Sequence, residues 1–190
     1  MTLAPLLITT FQPWRAHQPS NSSDDLVATL AAQGRLPNNS VLLRRVPVSF
    51  DIAPIRVLSE IHRIRPHAVI CCGMAEKRPY LSLEQRAKGV HRHLQTTVDL
   101  PALLEGTVLS QISYDAGTYV CNHLYYKVLE SVSQSQRPIG VIFAHIPPLN
   151  PDSTPFVLDD FCRISANLNR LHCGCATPPI LNCTEDGLSL

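Results

Sequence analysis

The chain has 190 residues, of which 45% are hydrophobic and 16% charged, and its net charge is +1. That length supports one substantial core and favours a single unit spanning residues 1–190. The near-neutral balance advertises neither a nucleic-acid surface nor an acidic disordered tail, so the expected partner is small. No run approaches the roughly eighteen apolar residues of a membrane helix, and no basic segment leads into a long apolar one with a cleavage site, so we expect a cytoplasmic protein and no membrane partner. Seven cysteines in a chain of this size argue against a disulfide framework and for free thiols.

Leu3 to Thr10 opens the chain as a short apolar run, read as a strand. The cluster Ser22-Ser23-Asp24-Asp25 then caps a helical pattern through Leu26, Val27, Leu30 and Ala31, closed by Gly34. Val41 to Val48 reads as a second strand, Ile52, Ile55, Leu58 and Ile61 as a helix, and His67 to Cys72 as a third strand. Val108 to Ser113 is a fourth strand, Asn122 to Val132 a helix with Leu124, Val128 and Val132 inward, and Ile139 to Ala144 a fifth strand. The last helix presents Val157, Phe161, Ile164, Leu168 and Leu171 on one face. Beyond Cys173 the pattern dissolves, and Asn182 to Leu190 is either a final strand or a loose end.

Strands that are apolar throughout and alternate with helices predict an α/β fold: a three-layer α/β/α sandwich whose largely parallel, twisted sheet has helices on both faces. Sites in such sheets form at the carboxyl ends of strands, which here collects Phe11 to Trp14, Gly73 to Glu84, Cys121 and His145.

Cys121 follows Gly117 at the start of the predicted helix, where free amides carry partial positive charge and favour thiolate. It is a candidate nucleophile, against the alternative of a small buried thiol. A cysteine nucleophile needs a base. His145, at a strand end and before Pro147-Pro148, is better placed than His123, two residues from Cys121, or His17, His91, His93 and His172 in polar surroundings. Glu84, expected in the loop or helix start after the third strand, is available to fix the imidazole tautomer. Cys71 and Cys72 read as core residues. A metal site of His172, Cys173, Cys175 and Cys183 is a weaker reading, because Cys-x-Cys lacks the usual two-residue gap, and we expect no metal and no cofactor.

Ala116-Gly-Thr-Tyr-Val-Cys-Asn-His-Leu124 resembles the nucleophile motif of the pyroglutamyl-peptidase I family of cysteine peptidases (family C15), and Phe143-Ala-His-Ile-Pro147 resembles its histidine-bearing strand end. Gly73-Met-Ala-Glu-Lys-Arg78 with Leu83-Glu-Gln-Arg86 resembles the loop that supplies an arginine and a glutamate, and Thr9-Thr-Phe-Gln-Pro-Trp14 resembles the aromatic opening loop. The resemblance runs with gaps from Leu6 to about Leu171. It implies a thiol exopeptidase that removes an N-terminal pyroglutamyl residue, with Cys121 as nucleophile, His145 as base, Glu84 orienting it, and Arg78 with the Cys121 amide at the oxyanion. It also implies that Phe11, Trp14, Tyr119 and Met74 face a small peptide substrate; family members often assemble, which admits a homo-oligomer without fixing one. The chain departs from the family at Met74, Glu76 and Lys77, where Gln and two glycines are usual, and in a shorter segment between Glu84 and Cys121. A second reading, an inactive or altered homologue acting as a binding module or on another amide, is opposed by the joint presence of Cys121, His145, Glu84 and Arg78.

Overall fold

Leu6, Leu7 and Ile8 begin the first strand with no solvent exposure, and that run pairs with a parallel strand on each side. The computed structural model describes residues 4–172. In chain order the elements are β1 (Leu6–Phe11), α1 (Ser22–Ala32), β2 (Ser40–Val46), α2 (Ile52–Ile64), β3 (Ala68–Met74), β4 (Leu81–Glu84), β5 (Arg86–Lys88) and β6 (His93–Gln95). They continue with α3 (Leu100–Leu103), β7 (Ser110–Ser113), α4 (Val120–Ser133), β8 (Gly140–Ile146) and α5 (Thr154–His172).

The main sheet has the order β2-β1-β3-β8-β4-β7, and only the β4–β8 pair is antiparallel. Residues of α1, α3 and α5 pack on one face, against Leu6, Ile8, Ile70 and Ile142. Residues of α2 and α4 pack on the other, against Leu7, Val69, Cys71 and Phe143. The predicted α/β sandwich with a largely parallel sheet is therefore the observed architecture. Each fully buried Leu, Ile or Phe in these layers contributes roughly 1.5–3 kcal/mol, which is why the apolar runs become interior strands.

Local signals fix the helix ends. Asn21 caps α1 by accepting from the Ser23 amide at 3.0 Å, and Gly34 leaves it at a φ of 64°, in the left-handed region that glycine adopts without cost. Arg65, followed by Pro66, ends α2 at a φ of 48°.

Three expectations need correction. Glu84 lies in β4, inside the sheet, rather than in a loop or helix start. The second strand, read as apolar throughout, is an edge strand with Arg44 and Arg45 exposed. Leu171 is exposed, whereas Val157, Phe161, Ile164 and Leu168 are buried as expected. The hairpin β5–β6 and the one-turn α3 were not anticipated. Cys173, Cys175, Cys183 and the tail from Asn182 lie outside the described residues.

Candidate active site

The chain reverses direction across the sheet at β1, because β2 lies on one side of it and β3 on the other. At such a switch point the carboxyl ends of neighbouring strands open a crevice. A cavity of about 460 Å³ lies there, lined among others by Phe11, Trp14, Met74, Arg78, Tyr119, Cys121 and His145. Every residue expected at the site from the sequence lines this cavity except Glu84, which is buried behind it.

Glu84 and His145 are joined by strand pairing. Ser82 stands opposite His145 and Leu83 opposite Ala144 across the antiparallel β4–β8 pair. The His145 Nδ1–H donates to Glu84 Oε1 at 2.6 Å, which leaves Nε2 as the free basic nitrogen. Arg78 Nη1 donates to the same oxygen at 2.5 Å, and its Nη2 donates to the Asp115 carbonyl at 2.6 Å. Tyr125 Oη donates to the Glu84 backbone carbonyl at 2.9 Å. Burial pushes the Glu84 carboxyl up, but the hydrogen bond and charge of His145, with Ser113 and Arg78, outweigh it and hold the group below its ordinary 4.5.

Cys121 occupies the first turn of α4, after the cap residue Tyr119, as the sequence predicts. Its sulfur rests against β3: a Cβ built on Gly73 would lie 2.7 Å from Cys121 Sγ. Gly73 is in turn the register partner of His145 on β8, so the strand against which the thiol rests is the neighbour of the one that carries the imidazole. No hydrogen bond joins Cys121 to His145 among the described residues. The expected thiolate is corrected here: burial pushes the Cys121 thiol up to about 12, and the charge of Glu84 adds to this. Its own amide and Arg78 act in the opposite direction, but the first turn of a helix offers less than desolvation removes.

The walls are aromatic. Trp14 lies on Tyr119 with centroids 4.7 Å apart and planes tilted by 31°, and the Arg15 guanidinium carbon sits 4.5 Å from the Trp14 ring centre. Phe11 is buried at the floor, and Phe50 meets the far edge of Tyr119 at 5.8 Å. Flat apolar faces beside backbone donors suit a planar, uncharged ring.

Several contributors escaped the sequence reading. Gly73 matters through a neighbour forty-eight positions away, which no local pattern reveals. Asn122, adjacent to the nucleophile, grips both backbone groups of Lys88, accepting from its N–H at 2.7 Å and donating to its C=O at 2.8 Å. Phe50 carried no signal beyond its size.

A buried carboxylate, an imidazole and a cysteine therefore gather at one end of an α/β sheet, the side-chain set that thiol hydrolases use. A sequence profile described as pyroglutamyl peptidase matches residues 94–155, a span that includes Cys121 and His145. The pyrrolidone-carboxylate peptidase of Bacillus mycoides is 27% identical over 169 residues, covering 75% of this chain and 77% of the relative. That of Gloeobacter violaceus is 27% identical over 170 residues, covering 76% and 82%. Among solved structures, pyroglutamyl peptidase I of Bacillus amyloliquefaciens superposes with a TM-score of 0.74 at 20% identity, covering 88% of this chain and 97% of that one. A mutant pyrrolidone carboxyl peptidase from Pyrococcus furiosus gives 0.75 at 18% identity, covering 88% and 99%. The chain is thus similar in sequence to pyrrolidone-carboxylate peptidases and in fold to pyroglutamyl peptidase I, in line with the resemblance its motifs carry.

Proposed function

We propose that the chain is a cysteine peptidase that removes an N-terminal pyroglutamyl residue from peptides. The observation that carries this reading is His145, held from behind by Glu84, facing the same aromatic-walled cavity as Cys121. With Nδ1 committed to Glu84, His145 Nε2 takes the proton of Cys121 as its sulfur attacks the pyroglutamyl carbonyl. The raised thiol pKa supports proton transfer during attack rather than a standing thiolate. The S–C bond forms, the C–N bond breaks, and His145 returns the proton to the departing amine. Water, deprotonated by His145, then cleaves the thioester and regenerates the thiol.

The Cys121 amide, in the first turn of α4 and bonded to its own thiol, passes to the oxyanion as the sulfur attacks. Arg78 serves mainly to hold Glu84, since both of its Nη atoms are engaged by Glu84 and Asp115. Phe11, Trp14, Tyr119 and Met74 hold the lactam. Free thiols at Cys71, Cys72 and Cys121 support a reducing, cytoplasmic setting.

Release of a fluorescent amine from a pyroglutamyl amide, compared between wild type and Cys121→Ala, tests the assignment. We expect turnover by the wild type only; equal background rates would overturn it.

A further inference from the structure

Three side chains of one loop converge on a single carboxylate. Glu76 accepts from Arg15 Nη1 at 3.0 Å and from Gln18 Nε2 at 2.6 Å, and meets His17 Nε2 at 3.1 Å. Gln18 closes the loop on itself, its Oε1 accepting from the backbone amides of Trp14 and Arg15 at 3.2 Å each. Arg15 carries the restraint onward, because its guanidinium covers one face of Trp14 while Tyr119 packs against the ring at 4.7 Å. A continuous chain of contacts therefore runs from Glu76 through Arg15 and Trp14 to Tyr119, two residues before Cys121.

Glu76 also stands on a boundary. A second cavity of about 240 Å³, reaching Pro148 and Leu149, shares Gln18, Met74 and Glu76 with the cavity that holds Cys121. These residues form the wall between the two spaces.

We propose that Glu76 is a positioning residue for substrate selection: it clasps the loop of residues 12–20 shut, seats Trp14 against Tyr119, and so limits the acyl pocket to a small flat ring. With the clasp open, Trp14 loses its backing and the two spaces join, admitting bulkier N-terminal groups. The proposal rests on the peptidase reading for its substrate, and on geometry alone for the clasp.

Trp14 is the only tryptophan in the chain, so its fluorescence reports the clasp without any substrate. In Glu76→Ala, acrylamide quenching of Trp14 should rise about twofold with a red-shifted emission, as a ring relieved of its Arg15 cover meets water. KM for a pyroglutamyl amide should rise about fivefold, with a smaller change in kcat, since binding order is lost while the reacting groups stay placed. Turnover of a bulkier N-acyl amide should improve relative to the pyroglutamyl one. Glu76→Gln, which keeps an acceptor but not the charge, should fall between. Gln18→Leu, which cuts the same clasp from the other side, should reproduce the quenching change. Unchanged quenching and unchanged KM in Glu76→Ala and Gln18→Leu would overturn the clasp. A quenching change in the two variants, with a wild type that cleaves no pyroglutamyl amide, would retain the clasp and reject the substrate.

Discussion

Gly73 lies directly beneath Cys121, so close that a Cβ on residue 73 would stand 2.7 Å from the Cys121 sulfur and 3.0 Å from Phe143 Cζ. Phe143 is fully buried and Cys121 is held in a helical turn, so neither neighbour can retreat freely. Gly73→Ala should displace the sulfur and lower kcat about a hundredfold. It should also cost about 1–3 kcal/mol of stability through overpacking. Peptidase kinetics beside urea unfolding would measure both, and a fully active variant would contradict the packing.

Glu84→Gln should remove the charge that stabilises the His145 imidazolium and free the ring to adopt the wrong tautomer. A loss of about a thousandfold in kcat is expected, with a smaller effect on KM. The comparison to make is steady-state kinetics at fixed pH, where near-wild-type kcat would separate Glu84 from the chemistry.

The same carboxylate should shape acid stability. Its folded pKa lies below 4.5, so as pH falls the unfolded chain takes up this proton first. The stability Glu84 confers is complete above that ordinary value and drains away as pH drops through the folded one. Urea midpoints for wild type and Glu84→Gln should therefore converge on acidification from pH 7; a constant gap would assign the acid response to other groups.

Cys121 alkylation should be slow at neutral pH and climb steadily toward pH 12, because burial keeps the thiol protonated. Cys71, also pushed up to about 12 and without solvent exposure, should remain unlabelled throughout in the folded protein. Rates of iodoacetamide labelling resolved by peptide mass would show this. A plateau reached below pH 8 would restore the preformed thiolate that the helix start alone suggests.

Asn122→Ala should leave both backbone groups of Lys88 without their partner in a part-buried setting. The expected cost is about 1–3 kcal/mol. Chemical denaturation would detect it, and an unchanged midpoint would show that water replaces the amide.

The strands and helices that carry Phe11, Cys121 and His145 were legible because each is long, apolar or clearly periodic. β4 was not, for it has four residues, Leu-Ser-Leu-Glu, and its place depends on pairing with β8 some sixty positions later. Glu84 thus entered as a loop residue, although its partnership with His145 was anticipated. The thiol erred in the opposite way. Its helix turn is a local property and was foreseen, whereas its desolvation arises from β3, Gly73 and Glu84, which only the assembled fold supplies.

The single antiparallel pairing of the main sheet bears on how such a protein can change. Because β4 bonds to β8, acid and base are fastened to one continuous hydrogen-bonded ladder, while Trp14, Glu76 and Tyr119 belong to connections above it. Substitutions in those connections can retune which N-terminus is accepted while the proton relay keeps its alignment. Selectivity can drift at little cost to chemistry, and Glu76 and Lys77, in the connection after β3, fall on that side of the division.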